Sequence, residues 1–425
     1  MRNTVNALVK IYLKLRHKRI REFMEHPHEV QQKVLQKLIQ SARFTEFGKK
    51  HGFSRIKTKE QFSEQVPVAF YDDLKPYIQR MMMGEKEVLW NGQVKWFAKS
   101  SGTTSDKSKF IPMPRENLYG NHIRGTWDTI SLLYQKFPQT SLFADKSLVM
   151  CGSLSRYEPF QNTRFGDVSA IMLHHMPSVG RPFYAPDFET GLMSNWDEKL
   201  DRMTKSLSVT SNITMFGGVP TWLVVLFNQM LDFTGKSNML EVWPNVKTYI
   251  HGGVGFEPYV DQFQKFFPGD QLYYQEIYNA TEGYFAAQDG LASKDLLLLL
   301  DNGMYFEFLP ISEWAKERPT AIPLEEVEVG VNYALMLSSN AGLWRYVPGD
   351  TIQFTETKPY RIRVTGRTKQ FVNVFGEEVM VSDTDKAIAE TCRQMNASVR
   401  EYSLAPIFLE NRLKGGHEWV IEFDQ

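Results

Sequence analysis

The chain reads as an α/β protein. It predicts a large N-terminal domain of mixed and parallel sheets with crossover helices plus an antiparallel, barrel-like unit, followed by a small α+β C-terminal part. Three observations carry this. Between Ser147 and Tyr278, short apolar runs alternate with amphipathic helical stretches, the pattern of a parallel sheet with crossover helices. From Asp295 onward, strand patterns follow one another with no helical pattern between them. After residues 366–369 the chain resumes as a new segment that ends in a strand pattern, Glu418 to Phe423.

In order along the chain, Val5 to Met24 is basic and helix-prone, with Val5, Leu8, Ile11, Tyr12 and Leu15 at helical spacing. A helix packed on the body is expected here, ahead of a membrane-surface helix. Pro27 suits a first helical turn, and Val30, Val34, Leu35, Leu38 and Ile39 form its apolar stripe. Thr58 with Gln61 three positions on marks another helix start. Asp72 to Met83 is helical and stops at Gly84. Val94 to Ala98 is a short strand, and a helix begins near Arg115 and runs over Leu118–Phe137 to Pro138. Ser155 to Pro186 is irregular, and the His174-His175 pair within it reads as structural or substrate-lining, since no partner cluster stands at ligand spacing. Leu296–Leu300, the turn Asp301-Asn302-Gly303 and Met304–Leu309 predict a hairpin. Strands are expected at Glu326–Leu337, Gly349–Thr355 and Tyr360–Thr365.

Composition narrows the function. Lys+Arg and Asp+Glu number 49 each, so there is no global basic field to recruit nucleic acid. Cys151 and Cys392 are the two cysteines, which is neither a disulfide framework nor a metal site and fits a reducing compartment. With no signal-peptide core and no apolar run of membrane-spanning length, a cytoplasmic location without a membrane span is expected.

The chemistry starts at Lys99-Ser100-Ser101-Gly102-Thr103-Thr104-Ser105-Asp106-Lys107-Ser108-Lys109. A hydroxyl-rich, glycine-containing turn between a strand and a helix can wrap a phosphate with backbone N–H and side-chain O–H donors, and a lysine at its far end can neutralise the phosphate charge. The same composition also describes a plain solvated turn. Gly252-Gly253 follows a strand, so the backbone can approach a flat ligand, or simply turn. Tyr278-Asn279-Ala280-Thr281-Glu282-Gly283 closes another strand, where ligands of open α/β sheets bind. There Tyr278 can stack on a base, Thr281 can bond a phosphate and Glu282 can hold Mg²⁺. Arg345-Tyr346-Val347-Pro348-Gly349-Asp350 ends in a Gly-Asp turn whose carboxylate can accept from both vicinal hydroxyls of a ribose. Gly366-Arg367-Thr368-Lys369 suits an interdomain hinge or an ordinary turn.

Taken in order, Ser-Ser-Gly-Thr-Thr…Lys, Tyr-Asn-Ala-Thr-Glu-Gly, Arg-Tyr-Val-Pro-Gly-Asp and Thr-Gly-Arg-Thr-Lys resemble the adenylate-forming superfamily. The branch they most resemble is the auxin-responsive acyl acid–amido synthetases of plants and their bacterial relatives, over roughly residues 30–425. The resemblance implies adenylation of a carboxylic acid by ATP with Mg²⁺, release of pyrophosphate and transfer of the acyl group to an amino acid. It implies a phosphate loop of Ser100, Ser101, Gly102, Thr103, Thr104 and Lys109. Gly253, Tyr278 and Thr281 would meet the nucleotide, Glu282 the metal and Asp350 the ribose, with Arg367 and Lys369 at the hinge. Lys109, Glu282 and Lys369 are the residues it implies for catalysis. The implied organisation is a large domain over residues 1–364, a hinge at 365–369 and the start of a small domain at 370–425, which in relatives extends past the position of Gln425. Ser105 departs from the pattern, standing where the superfamily's loop often has glycine. Two other readings share the motifs: a ligase that hands the acyl group to the thiol of coenzyme A, and a non-catalytic nucleotide-binding relative.

Overall fold

The computed structural model describes residues 2–100, 109–137, 142–157, 160, 162–290, 294–314, 316, 319–368, 379, 381–395, 397–407 and 416–423. In chain order the strands are β1 (Trp96–Ser100), β2 (Lys109–Pro112), β3 (Lys146–Val149), β4 (Leu154–Ser155), β5 (Arg164–Gly166), β6 (Tyr184–Ala185), β7 (Ile213–Gly217), β8 (Thr248–His251), β9 (Tyr273–Ala280), β10 (Gly283–Gln288), β11 (Leu296–Leu298), β12 (Met304–Pro310), β13 (Ile322–Pro323), β14 (Asn332–Ser339), β15 (Asp350–Thr357), β16 (Tyr360–Arg367), β17 (Val399–Ile407) and β18 (Gly416–Phe423).

Twelve of them form one sheet in the order β13-β12-β14-β15-β16-β11-β10-β9-β8-β7-β3-β6. From β6 to β9 every pairing is parallel, and helices Trp196–Ser208, Pro220–Thr234 and Val260–Phe266 make the crossovers. Such strands are covered on both faces. Phe216 accordingly stacks on Tyr249 at 4.6 Å and on Phe267 at 5.1 Å, and Tyr249 on Phe263 at 4.9 Å, in a core that also holds Trp243 and Phe227. At β9 the direction reverses. Thr281-Glu282 is a two-residue turn with Ala280 opposite Gly283, and every pairing beyond it is antiparallel. The antiparallel strands therefore continue the parallel half within one twelve-stranded sheet.

A second sheet, β2-β1-β5-β4, stands beside it, with Ser100 paired to Lys109 across the β1–β2 hairpin. The hydroxyl-rich stretch thus joins two antiparallel strands instead of leading into a helix. The reason is visible in Lys109 to Pro112, which pairs with Phe97 to Ser100 before any helix can begin. The next helix runs from Arg115 to Lys136 with one π turn at Leu118–His122. It lies so close to β10 that a Cβ on Gly125 would sit 2.4 Å from the Tyr284 ring, a position only glycine tolerates. The C-terminal segment comprises the helix Val381–Met395 and the β17–β18 pair.

Two local expectations fail for tertiary reasons. β11 and β12 are not a hairpin: β11 pairs with β10 and β16, and β12 with β13 and β14. The Asp301-Asn302-Gly303 corner is instead held inside the protein. Asn302 Nδ2 donates to Tyr284 O at 2.6 Å, Asn121 Nδ2 to Asn302 O at 3.1 Å and Arg124 to Asp301 O at 2.9 Å. Within the stretch read as irregular, Val168–His174 is helical because Ala170, Ile171 and Leu173 find a core to enter. Gly366 and Arg367 are the last residues of β16.

The N-terminal helix, Arg2–Glu25, packs on the body as expected, but through another face. Leu13, Arg16, Ile20 and Phe23 are buried, whereas Leu8, Ile11, Tyr12 and Leu15 point outward. Arg16 sets that rotation. Its guanidinium grips Asp128 through Nε and through Nη2 at 2.8 Å, and Asp301 at 2.8 and 2.6 Å. Burial pushes the Asp128 carboxyl up to about 6 in spite of Arg16.

Arg16→Met should strand Asp128 without its partner and cost about 3–5 kcal/mol in a urea unfolding experiment near pH 8. His122, fully buried in the π turn with neither ring nitrogen bonded, has its pKa pushed down by burial from 6.5 to about 4. Below about pH 6.5 the unfolded chain takes up a proton that the folded chain refuses, so this residue removes stability as the pH falls. His122→Leu should therefore gain about 2 kcal/mol relative to the parent between about pH 6.5 and pH 5, measured by the same unfolding experiment.

Candidate active site

Residues far apart in sequence meet at the mouth of the β1–β2 hairpin. Ser100 and Lys109 face each other across it. Lys109 Nζ lies 5.6 Å from the centre of the Tyr71 ring, whose hydroxyl accepts from Phe110 N at 2.9 Å. Glu282 occupies the β9–β10 turn, Asp350 opens β15 and Arg367 closes β16 opposite it. The Glu282 carboxylate feels the charges of Asp350, Lys109 and Arg367. Ser101, Gly102, Thr103, Thr104 and Lys369 lie outside the described residues.

The acidic pair is tightly held. The Tyr278 hydroxyl donates to Asp350 Oδ2 at 2.8 Å, and Arg367 Nε donates to Asp350 Oδ1 at 3.1 Å. Arg367 Nη2 reaches Pro348 O at 3.3 Å, and Thr368 N bonds Gly349 O at 2.8 Å. Gly349 has φ +102°, which explains its glycine. The Tyr346 hydroxyl donates to Glu282 Oε1 at 3.3 Å. Glu282 is only 6% exposed. Burial first, and then the neighbouring Asp350, push its carboxyl up to about 7, with Lys109 and Arg367 opposing. A buried carboxylate in this state favours any added positive charge.

Carboxylate oxygen is a donor suited to Mg²⁺, so Glu282 fits that ion. Among the described residues, no group of three or more His, Cys, Asp or Glu side chains gathers as a metal cage. Mg²⁺ held here would take its other ligands from phosphate oxygens and water, its usual manner of binding.

The Gly-Asp turn is positioned by a polar staple. Arg345, at φ +42°, pairs with buried Glu307 at 3.0 Å and donates to Ser63 O and Val66 O at 2.9 and 2.8 Å. Ala69 N bonds Arg345 O, and Val347 N bonds Ala69 O, each at 2.9 Å. Tyr346 and Leu337 exchange backbone bonds at 2.8 and 2.9 Å.

Several of the motif residues also have packing roles. The Tyr278 ring packs on Phe285 at 4.6 Å and is buried, while its hydroxyl holds Asp350. A Cβ on Gly252 would lie 2.4 Å from Ile277 O, and Gly253 has φ +88°, so strand packing and turn geometry account for both glycines. His251 beside them is buried and stacked 4.3 Å from Phe256, and burial pushes its pKa down to about 3. Thr281 is half-buried at the other corner of the Glu282 turn. The His174 and His175 rings each pack 5.1 Å from Trp96. Tyr346 and Tyr71 join the site without having been singled out from sequence. Tyr346 lay inside a motif already noticed, but Tyr71 carries no sequence signal, since only the fold brings the start of its helix to β2.

Residues 16–201 and 140–272 match the GH3 family N-terminal domain, and residues 297–367 match the GH3 family central domain. An indole-3-acetic acid-amido synthetase of Arabidopsis thaliana, GH3.3, is 25% identical over 406 residues, covering 79% of this chain and 66% of that one. A jasmonoyl–L-amino acid synthetase of Nicotiana attenuata, JAR4, is 22% identical, covering 76% and 66%. The chain thus spans about two thirds of the length of these relatives. Among solved structures, the GH3.15 acyl acid amido synthetase superposes with TM-score 0.77 at 17% identity, covering 97% of this chain and 81% of that one. A 2-hydroxyisobutyryl-CoA ligase superposes with TM-score 0.60 at 13% identity, covering 93% and 78%, so the chain shares its fold with that ligase. With both its N-terminal and central regions matched, the chain belongs to the GH3 family.

Proposed function

We propose that the protein is an ATP-dependent acyl acid–amido synthetase. It converts a small carboxylic acid and ATP to acyl-AMP and pyrophosphate, then passes the acyl group to the amine of an amino acid. The observation that carries this reading is the buried Glu282 carboxylate set between Asp350, Lys109 and Arg367 beside the β1–β2 hairpin. The names of the GH3 relatives, synthetases of acyl acids and amino acids, support it.

A carboxylate is a poor electrophile because its oxygen leaves badly. Attack of that oxygen on the α-phosphate of ATP turns it into part of AMP, a good leaving group for the amine to displace. The protein's work is to bring two anions together and to offset their repulsion with fixed positive charge. Lys109 supplies such a charge at the hairpin, where Ser100, Ser101, Gly102, Thr103 and Thr104 would donate to the phosphates. Asp350, held by Tyr278 and Arg367, keeps acceptor capacity for a ribose. Gly253 and Thr281 would border the nucleotide, and Lys369 would assist from the segment after β16. Mg²⁺ held by Glu282 would supply charge neutralisation at the phosphates. The balance of 49 basic and 49 acidic residues suits small substrates in the cytoplasm rather than nucleic acid.

Pyrophosphate exchange that requires both ATP and a carboxylic acid is expected, with an amide as the final product by mass spectrometry. No exchange across aryl and alkyl acids would overturn the reading, and a thioester product would replace it with the coenzyme A ligase. Asp350→Ala should weaken ATP binding by about 1.5–3 kcal/mol in calorimetry, the worth of a charge-assisted hydrogen-bonded group. Glu282→Gln should lower exchange by about 10²-fold. In thermal unfolding near pH 8, the same variant should leave the ligand-free protein more stable, because it removes a charge that the fold holds at a cost.

A further inference from the structure

The N-terminal helix carries two apolar faces, and the body uses one of them. Leu13, Ile20 and Phe23 are buried, while Leu8 is 63% exposed, Ile11 58%, Tyr12 47% and Leu15 58%. The spacing of Leu8, Ile11, Tyr12 and Leu15 puts all four on one stripe. Single exposed apolar side chains need no explanation, but an aligned set of four does. The stripe cannot turn inward, because Arg16 at its border is clamped to the body by Asp128 and Asp301. It also continues onto the body: the Tyr12 ring meets Trp127 at 5.4 Å, and Trp127 stacks on Phe143 at 5.7 Å.

Charge indicates what covers it. No acidic residue occurs in the first 21 positions, and Lys14, Lys18, Arg19 and Arg21 are exposed on the same helix. The first carboxylate, Glu22, is engaged by Arg19 at 2.7 Å. Two copies joined through this stripe would set these cations against each other, whereas an anionic surface would pair with them. The helix is not long and apolar enough to cross a membrane. An amphipathic helix with cations flanking its apolar face lies in the plane of a bilayer interface, with the apolar side chains among the acyl chains and the lysine stems reaching back to the headgroups.

We infer that Leu8, Ile11, Tyr12 and Leu15, with the flanking cations, form a docking surface for anionic phospholipid bilayers. The docking surface does not depend on the synthetase reading, and its test needs no activity assay. The full chain is floated with vesicles of phosphatidylcholine plus phosphatidylserine and with vesicles of phosphatidylcholine alone. Binding is expected to the anionic vesicles, weakening as salt is raised. The double variant Ile11→Gln/Leu15→Gln, and separately Lys14→Glu/Lys18→Glu, should each lower binding by at least about tenfold with unchanged thermal unfolding midpoints. Equal binding to both kinds of vesicle, no binding to either, or binding that both variants leave intact would overturn the proposal. So would sedimentation showing a dimer that Ile11→Gln/Leu15→Gln dissolves in a chain that ignores vesicles, since the stripe would then belong to a second copy.

Discussion

A carboxylate confined in a two-residue turn at the centre of a twelve-stranded sheet is the constraint on which this architecture depends. Glu282 sits where the sheet changes from parallel to antiparallel. A parallel strand needs a long crossover to return, but an antiparallel one returns in two residues. The reversal at Thr281-Glu282 therefore brings β10, and through β11 and β16 the start of β15, to the carboxyl end of β9. Asp350 arrives beside Glu282 by that route. Two carboxylates so placed repel each other, and Lys109 and Arg367 only partly offset the repulsion. Held in this way, Glu282 keeps its charge at a cost that added positive charge would lower.

Buried arginines do the positioning around it. Arg345 ties the segment before Asp350 to Glu307 and to the carbonyls of Ser63 and Val66, so the Gly-Asp turn inherits the rigidity of β12 and of the helix Lys59–Gln65. Arg16 does the same between the N-terminal helix, Asp128 and Asp301. A buried ion pair adds little net stability compared with apolar packing, but losing one partner is costly. Each therefore acts more as a registration pin than as a source of stability. The Arg16 pin has a second effect, since it decides which side of the N-terminal helix remains outside.

Fold and site were unequally legible. The alternation of strand and helix through β7, β8 and β9 could be read because short apolar strands there are separated by helices with a regular apolar periodicity. Thr58 was legible as a cap, and its hydroxyl does accept from Gln61 N at 3.3 Å. The Asp301-Asn302-Gly303 corner misled because its composition is that of a hairpin tip, while Arg16, Arg124 and Asn121 bind it from distant parts of the chain. Gly252 was ambiguous in sequence: its bareness serves the approach of Ile277, which sequence spacing does not reveal. For the candidate site, motifs marked Lys109, Glu282, Asp350 and Arg367 but not Tyr71, whose part in it depends on packing alone.

What the sequence by itself determined was local: which segments are helix or strand, where turns must fall and which residues bear charge or hydroxyl groups near one another in the chain. These follow from side-chain periodicity and backbone preference, which act over a few residues. Only the tertiary structure decided which strands pair, which apolar stripe of the N-terminal helix is buried, and that Tyr278 holds Asp350 instead of facing outward. Those outcomes depend on long-range burial of charge and close packing of side chains. The cost of an unpartnered carboxylate or a crowded Cβ exists only once distant segments have met.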